Sequence, residues 1–433
     1  MQSDNGRRRA APRSTKARRV VLLLAMLAIP ASTKPSAAVN TPAALVISGA
    51  TLLDGTGRDA LADSVIVIRD GKVAAVTAAG AAGVPGDARH IDARGKWIIP
   101  GLIDMHVHYH AGWMDDLFLR HGVTTVRDVG SGLDGILELR RLSREPGSTQ
   151  PRLFACGPLI DGPWPRHGRG ISVPVVTEDE ARAVARRLLG RGVDCLKLYE
   201  QLTPPIVQAI VGEAERVRVP VTAHLRDTTA LVAMAAGVRG LEHAFGFDAC
   251  DEREADEVAR RAADRAVYVV PTLTITEQVS RLRSPEIQST PLLAAVPEGR
   301  RNYWAAAARG ATPEGTARAA RRLPCVKRFV GRLQSLGGRV VAGSDTSNPY
   351  VVPGASLQRE LELLVESGLS PREALAAGTR TAAEFLGQGG TLGTIEAGKA
   401  ADLVVLREDP WRSIGATRQI DLVIRDGRVL WPK

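Results

Sequence analysis

The stretch GLIDMHVHYH, residues 101–110, closes an apolar run and places His106, His108 and His110 at alternate positions. In an extended strand, alternate side chains share one face, so the imidazoles point the same way. A lone buried histidine is most often a satisfied core residue. Several neutral imidazoles converging on one point are what a divalent metal binds. The stretch is therefore read as the first strand of a metal site, with the rest of the chain as the test.

Working outward, runs of the same kind recur through residues 101–390. GLIDMHVH, GVTTVRDVG, RLFACG, VDCLKLY, VPVTAHL, GVRGLEHA, AVYVVPTLT and RVVAGSDT are β-type, separated by Ala/Arg/Leu/Glu-rich stretches of helical spacing. Strands alternating with helices in this number predict an α/β fold, a (β/α)8 barrel of the TIM type. Gly192 and Gly368 are expected to close the helices EDEARAVARRLLGRG and LQRELELLVESGLS. Residues 272–335 are basic and irregular, with Pro285, Pro291, Pro297 and Pro313, and are expected to cap the barrel mouth as a lid. On either side, residues 43–100 and 391–433 hold short strands with matching hairpin signals, Asp70-Gly71 and Asp426-Gly427. The two ends are expected to fold together as one small flanking β-sandwich domain.

Chemistry in such barrels sits at the C-terminal ends of the strands. His106 and His108 fall there on the first strand and Lys197 on the fourth. His224 falls there on the fifth, His243 on the sixth and Asp345 on the eighth. A lysine between Leu196 and Leu198 is costly to bury as a cation without a partner. Core packing does not account for such a set at equivalent strand ends. Tyr199 and Arg226 each lie two residues past a proposed ligand and are candidates for the pocket rim, Arg226 as a grip for a substrate carboxylate. His110 lies beyond the strand end, and His167 and Arg169 fall in the loop DGPWPRHGRG; all three are weaker candidates for substrate contact. Asp104 faces inward one layer lower, where a structural hydrogen bond is expected. Arg127 and Asp128 are expected to form a local ion pair.

From about residue 43 to the C-terminus the chain resembles the metal-dependent amidohydrolase superfamily. The likeness is to binuclear-metal members grouped with imidazolonepropionase-like proteins and prolidase-like dipeptidases. GLIDMHVH, HGVTTVRDVG, EAGKAADLVVL and VIRDGRVL carry it. The resemblance implies two divalent ions, zinc being the expected metal. His106, His108 and Asp345 would bind the more buried ion, and His224 and His243 the more exposed one. Lys197, carboxylated by carbon dioxide, would bridge them. It also implies hydrolysis of C–N bonds in small substrates such as dipeptides or N-acyl amino acids, by a hydroxide shared between the metals with Asp345 as general acid and base. A cyclic-amide hydrolase, a lactonase or phosphotriesterase, and a catalytically inactive metal-binding relative stay open as alternatives.

The formal charge of +10 reads at first as a nucleic-acid signal. Most of it lies in residues 1–38, where eight basic side chains face Asp4 alone. No basic patch with interleaved aromatics follows, so nucleic acid is not an expected partner. That leader, with KARRVVLLLAMLAIPASTKPSAA, has the order of an export signal: basic, apolar, then small residues. An exported protein is expected, tethered to a membrane only if the leader is retained. The four cysteines, at positions 156, 195, 250 and 325, show no close pairing and are expected to be buried, inert thiols.

Overall fold

The computed structural model describes residues 44–80, 86–110, 112–168 and 170–432. The leader at residues 1–38 and Arg169 lie outside the described residues. No helix among those described is long and apolar enough to cross a membrane.

Strands from both chain ends share one eight-stranded mixed sheet. Leu45–Leu52, Leu61–Arg69, Lys72–Ala78, Arg89–Asp92 and Trp97–Pro100 come from one side of the sequence. Leu403–Leu406, Ile420–Arg425 and Arg428–Trp431 come from the other. They join where Leu403–Leu406 runs antiparallel to Trp97–Pro100, with Leu403 opposite Pro100 and Leu406 opposite Trp97. Ile47, Ile66, Ile98, Leu403 and Ile424 are buried together beneath this join. Both Asp-Gly turns take the paired left-handed conformation that a two-residue hairpin of matching twist requires. Asp70 and Gly71 have φ 50° and 74°, and Asp426 and Gly427 have φ 47° and 71°. The two turns also meet. A Cβ on Gly427 would lie 2.9 Å from Ile68 Cγ2 and 3.1 Å from the Gly71 Cα, so glycine is needed there for packing as well as for φ.

The middle of the chain is α/β with parallel strands. Ser172–Pro174, Leu159–Asp161, Leu196–Leu198, Val221–Ala223, Gly240–Glu242, Tyr268–Val270 and Arg339–Val340 form a seven-stranded sheet in that order. Leu102–Val107, Val123–Asp128 and Arg152–Ala155 form a three-stranded one. Each of the eight runs read from the sequence supplies a strand; Leu159–Asp161 and Ser172–Pro174 are additional. The helix Glu178–Gly190 starts at Thr177, whose hydroxyl accepts from the Glu180 N–H at 3.2 Å while the Glu180 carboxylate accepts from the Thr177 N–H. It ends before Gly192, at φ 75°.

Residues 272–335 are more regular than their prolines suggest. Leu273–Ser280, Glu298–Gly310 and Pro313–Ser335 are helices. Pro285, Pro291 and Pro313 open helical turns and Pro297 caps one, positions where a missing N–H costs nothing.

The cysteine expectation is overturned. Cys156 is joined to Cys195 and Cys250 to Cys325, and no cysteine is left free. The partners stand 39 and 75 residues apart in sequence, a spacing that reads as unpaired. Folding brings the first pair together, Cys156 just after Arg152–Ala155 and Cys195 just before Leu196–Leu198.

Candidate active site

The polar residues at the strand ends converge. His106, His108, Lys197, His224, His243 and Asp345 all line one cleft of about 640 Å³. Ligand atoms of His106, His243 and Asp345 lie within 4.8 Å of one another. Nε2 of His106 and Nε2 of His108 are 3.5 and 3.3 Å from Asp345 Oδ1. The His224 and His243 rings are 4.6 Å apart between centroids.

The hydrogen bonds behind the rings decide what they present. His106 Nδ1 is 2.7 Å from Glu242 Oε2, and His108 Nδ1 is 3.2 Å from the Gly130 carbonyl. Both partners only accept, so each Nδ1 carries the proton. His243 Nδ1 is 2.7 Å from Thr272 Oγ1, whose own proton goes to the Pro271 carbonyl at 2.8 Å, so here too Nδ1 donates. In the neutral form of each of the three rings Nε2 is thereby the lone-pair atom, and in His108 the neighbouring Asp345 also favours a proton there. His224 is turned the other way, with Nε2 3.5 Å from Glu200 Oε1. Burial, ahead of neighbouring positive charge, holds His224 and His243 well below the usual imidazole range, so they are neutral at pH 7.

Lys197 is 1 % exposed, and its Nζ has no hydrogen-bond partner among the described residues. Burial lowers its pKa to about 8. A buried amine left unsatisfied beside four histidines and a carboxylate is an anomaly for a core residue.

The backbone is strained where it delivers these groups. His243, Thr272 and Asp345 have φ of 62°, 47° and 60°, a left-handed region that costs a side-chain-bearing residue about 1–2 kcal/mol. Below them Asp104 holds two ligand segments at once. It accepts from Ser344 Oγ at 2.6 Å, the Ser344 N–H at 2.9 Å and the His106 N–H at 3.3 Å, the structural role expected of it.

Two acidic residues escape the sequence reading. Glu242, fully buried, accepts from His106, from Arg127 Nη2 at 2.7 Å and from the Thr222 hydroxyl. Burial alone would raise its pKa, but the Lys197 and Arg127 charges hold it well below the carboxylate range. Its signal was available: a carboxylate inside the apolar run GVRGLEHA, next to a ligand histidine. The expected Arg127–Asp128 pair does not form. Adjacent strand residues face opposite ways; Arg127 pairs with Glu242, and Asp128 accepts from the Tyr109 N–H at 2.8 Å and Ser131 Oγ at 2.7 Å.

Glu200 is the other. At the rim it sits 3.4 Å from Arg166 Nη1 and 3.1 Å from Arg226 Nη1. Arg226, expected to grip a carboxylate, thus already holds one. Tyr199 and His167 line the cleft and are bonded to each other, hydroxyl to Nε2, at 3.0 Å. His110 is not brought to the cleft. It is exposed, and its backbone N–H lies 3.0 Å from Met114 Sδ.

Comparison with known proteins agrees in kind. The Amidohydrolase family profile matches residues 97–430. The chain is 28% identical to the imidazolonepropionase of Chromobacterium violaceum over 377 residues, 81% of this chain and 87% of the relative. Among solved structures it is similar to a Bifidobacterium longum protein provisionally described as a prolidase, with 25% identity, a TM-score of 0.75 and coverage of 90% and 95% of the two chains. It is also similar to the bottromycin amidohydrolase, at 27% identity, a TM-score of 0.73 and coverage of 90% and 87%.

Proposed function

Because the chain belongs to the amidohydrolase family and is a hydrolase of carbon–nitrogen bonds, we propose that it is an exported, metal-dependent hydrolase of amide bonds in dipeptides or N-acyl amino acids. The two parallel sheets are read as arcs of one (β/α)8 barrel, residues 101–390. Supporting this, Asp345 N–H donates to the His106 carbonyl at 2.8 Å across one gap between the sheets, and Asp194 N–H to the Ala155 carbonyl at 2.8 Å across the other. The mixed sheet then belongs to a flanking β-sandwich domain of residues 43–100 and 391–433, and residues 272–335 form a lid over the cleft.

The observation that carries the reading is the convergence of His106, His243 and Asp345, whose ligand atoms lie within 4.8 Å of one another, with His108 at Asp345 and the orphaned amine of Lys197 in the same cleft. Mixed imidazole and carboxylate donors suit zinc and several other divalent ions. His106, His108 and Asp345 would hold one ion, and His224 and His243 the second. Lys197 fits as a bridge once N-carboxylated, since an ammonium offers no lone pair and a carbamate offers two oxygens. Bound divalent ions supply Lewis acidity toward the scissile carbonyl and make water more acidic. Asp345, within 3.5 Å of two imidazoles, takes the proton of the attacking water and returns it to the leaving nitrogen. Glu242 and Arg127 keep His106 oriented while this happens.

Two features support export: the leader, and four cysteines all paired in disulfides, which persist in oxidising compartments. The prolidase-described neighbour favours dipeptides. The test is amine release from dipeptides and N-acyl amino acids by metal- and bicarbonate-replete protein, with metal content measured alongside. We expect about two ions per chain, and Asp345→Asn to lower kcat by about 10²–10⁴. No amine release by the parent on the whole set would sink the dipeptidase reading, and one ion per chain the bridged site.

A further inference from the structure

The long helix Pro313–Ser335 turns one face to the cleft. Gly315, Arg318, Ala319 and Arg322 line it, and their spacing is that of a single helical stripe. Two arginines one turn apart on that stripe repel each other. Arg322 is accounted for: it donates to the carbonyls of His243 and Ala244 at 3.2 and 2.7 Å, and lies 4.6 Å from the Phe245 ring centroid. Arg318 is not. Among the described residues it has no hydrogen bond, ion pair or ring contact, and it is exposed into the cleft.

The charge around it is unbalanced. Arg166, Arg226, Arg318 and Arg322 line the cleft, and among the described residues, outside the proposed metal ligands, the one carboxylate lining it is Glu200. Glu200 is already shared by Arg166 and Arg226. A concave site with one sign of charge in excess concentrates ligands of the other sign, and a free guanidinium fork matches a carboxylate bidentately.

We propose that Arg318 is a specificity-determining residue that takes a carboxylate of the substrate, so that the cleft selects anionic amides. This rests on the amide-hydrolase reading and narrows it. The carboxylate is either an acidic side chain or a free C-terminus, and the same chemistry at Arg318 serves both.

The experiment compares kcat/KM for Ala-Glu against Ala-Gln and Glu-Ala against Gln-Ala, and for Ala-Gln against its C-terminal amide. Parent, Arg318→Gln and Arg318→Lys are run in each series. Neutralising the recognised carboxylate lowers kcat/KM by about tenfold or more in the parent, mostly through KM, as expected for a charge-assisted hydrogen bond. The difference vanishes in Arg318→Gln and survives in part in Arg318→Lys. The series that responds identifies which carboxylate is read. Equal ratios in parent and Arg318→Gln throughout would overturn the proposal. Calorimetric binding of glutarate, which has no amide to cleave, is read whether or not any substrate turns over. We expect at least tenfold weaker binding by Arg318→Gln; equal affinity, or no binding by the parent, overturns the proposal independently of the amide reading.

Discussion

The floor of the cleft and its rim use the same charged residue types in opposite ways. On the floor, Arg127 and Glu242 are buried and lock into a network with His106 and Thr222. At the rim, Arg166 and Arg226 are 68% and 67% exposed and share Glu200 at 3.4 and 3.1 Å. A buried pair cannot lose one member without stranding the other in a low-dielectric interior, whereas water replaces an exposed guanidinium at little cost. The floor is therefore a frame that fixes ring orientation, and the rim is a surface on which selectivity can change without unfolding the protein.

The sharpest way to break that contrast is Glu242→Gln. It strands Arg127 as a buried cation and gives His106 Nδ1 an amide in place of an anion. We expect about 3–5 kcal/mol lower stability in urea unfolding and metal binding weakened at least tenfold. A loss under about 1 kcal/mol, the range of exposed pairs, would put the floor on a par with the rim.

The same contrast explains what the sequence made legible. His106, His108, Lys197, His224, His243 and Asp345 could be found because each is a polar residue at the end of an apolar run, and local pattern fixes which run end it occupies. The Asp-Gly hairpins were equally local. Glu242 obeys that rule and was overlooked beside His243. Glu200 could not be found this way, because its meaning comes from Arg166 and Arg226, side chains on two other loops. The disulfides were illegible for the same reason: Cys156 and Cys195 are neighbours only after a helix has carried the chain from one strand to another. The Arg127–Asp128 pairing failed on a point that the strand alternation itself decides.

Acid sharpens the comparison at a smaller scale. Burial holds His106, His224 and His243 below the usual imidazole range. In His108 burial is outweighed by the hydrogen bond and charge of Asp345, and its pKa is raised. For the three lowered groups the unfolded chain binds protons that the folded chain refuses, so their contribution is present above about 6.5 and lost as pH falls. His108 works in the opposite sense. Burial raises the carboxyls of Asp104 and Glu360 to about 7, and these favour the folded chain as pH falls through the same range. The imidazoles are therefore followed singly, by NMR titration of metal-free protein, and His224 and His243 should titrate below about 6.5. Imidazole signals of His224 and His243 that titrate at or above about 6.5 would mean that these rings are not held neutral by the frame.

The smallest effect is expected from Arg226→Gln, and its smallness is the point. Arg226 is 67% exposed and Glu200 keeps Arg166 at 3.4 Å, so the carboxylate is not left alone. Stability should change by less than about 1 kcal/mol. Glu200 also stands 3.5 Å from His224 Nε2, so loosening it acts on the cleft more than on the fold, and KM should move further than the unfolding midpoint. If instead Arg226→Gln unfolds the protein as readily as Glu242→Gln, the rim is part of the frame. Selectivity could then not be changed there without a cost in stability, and the division between floor and rim would fail at its outer edge.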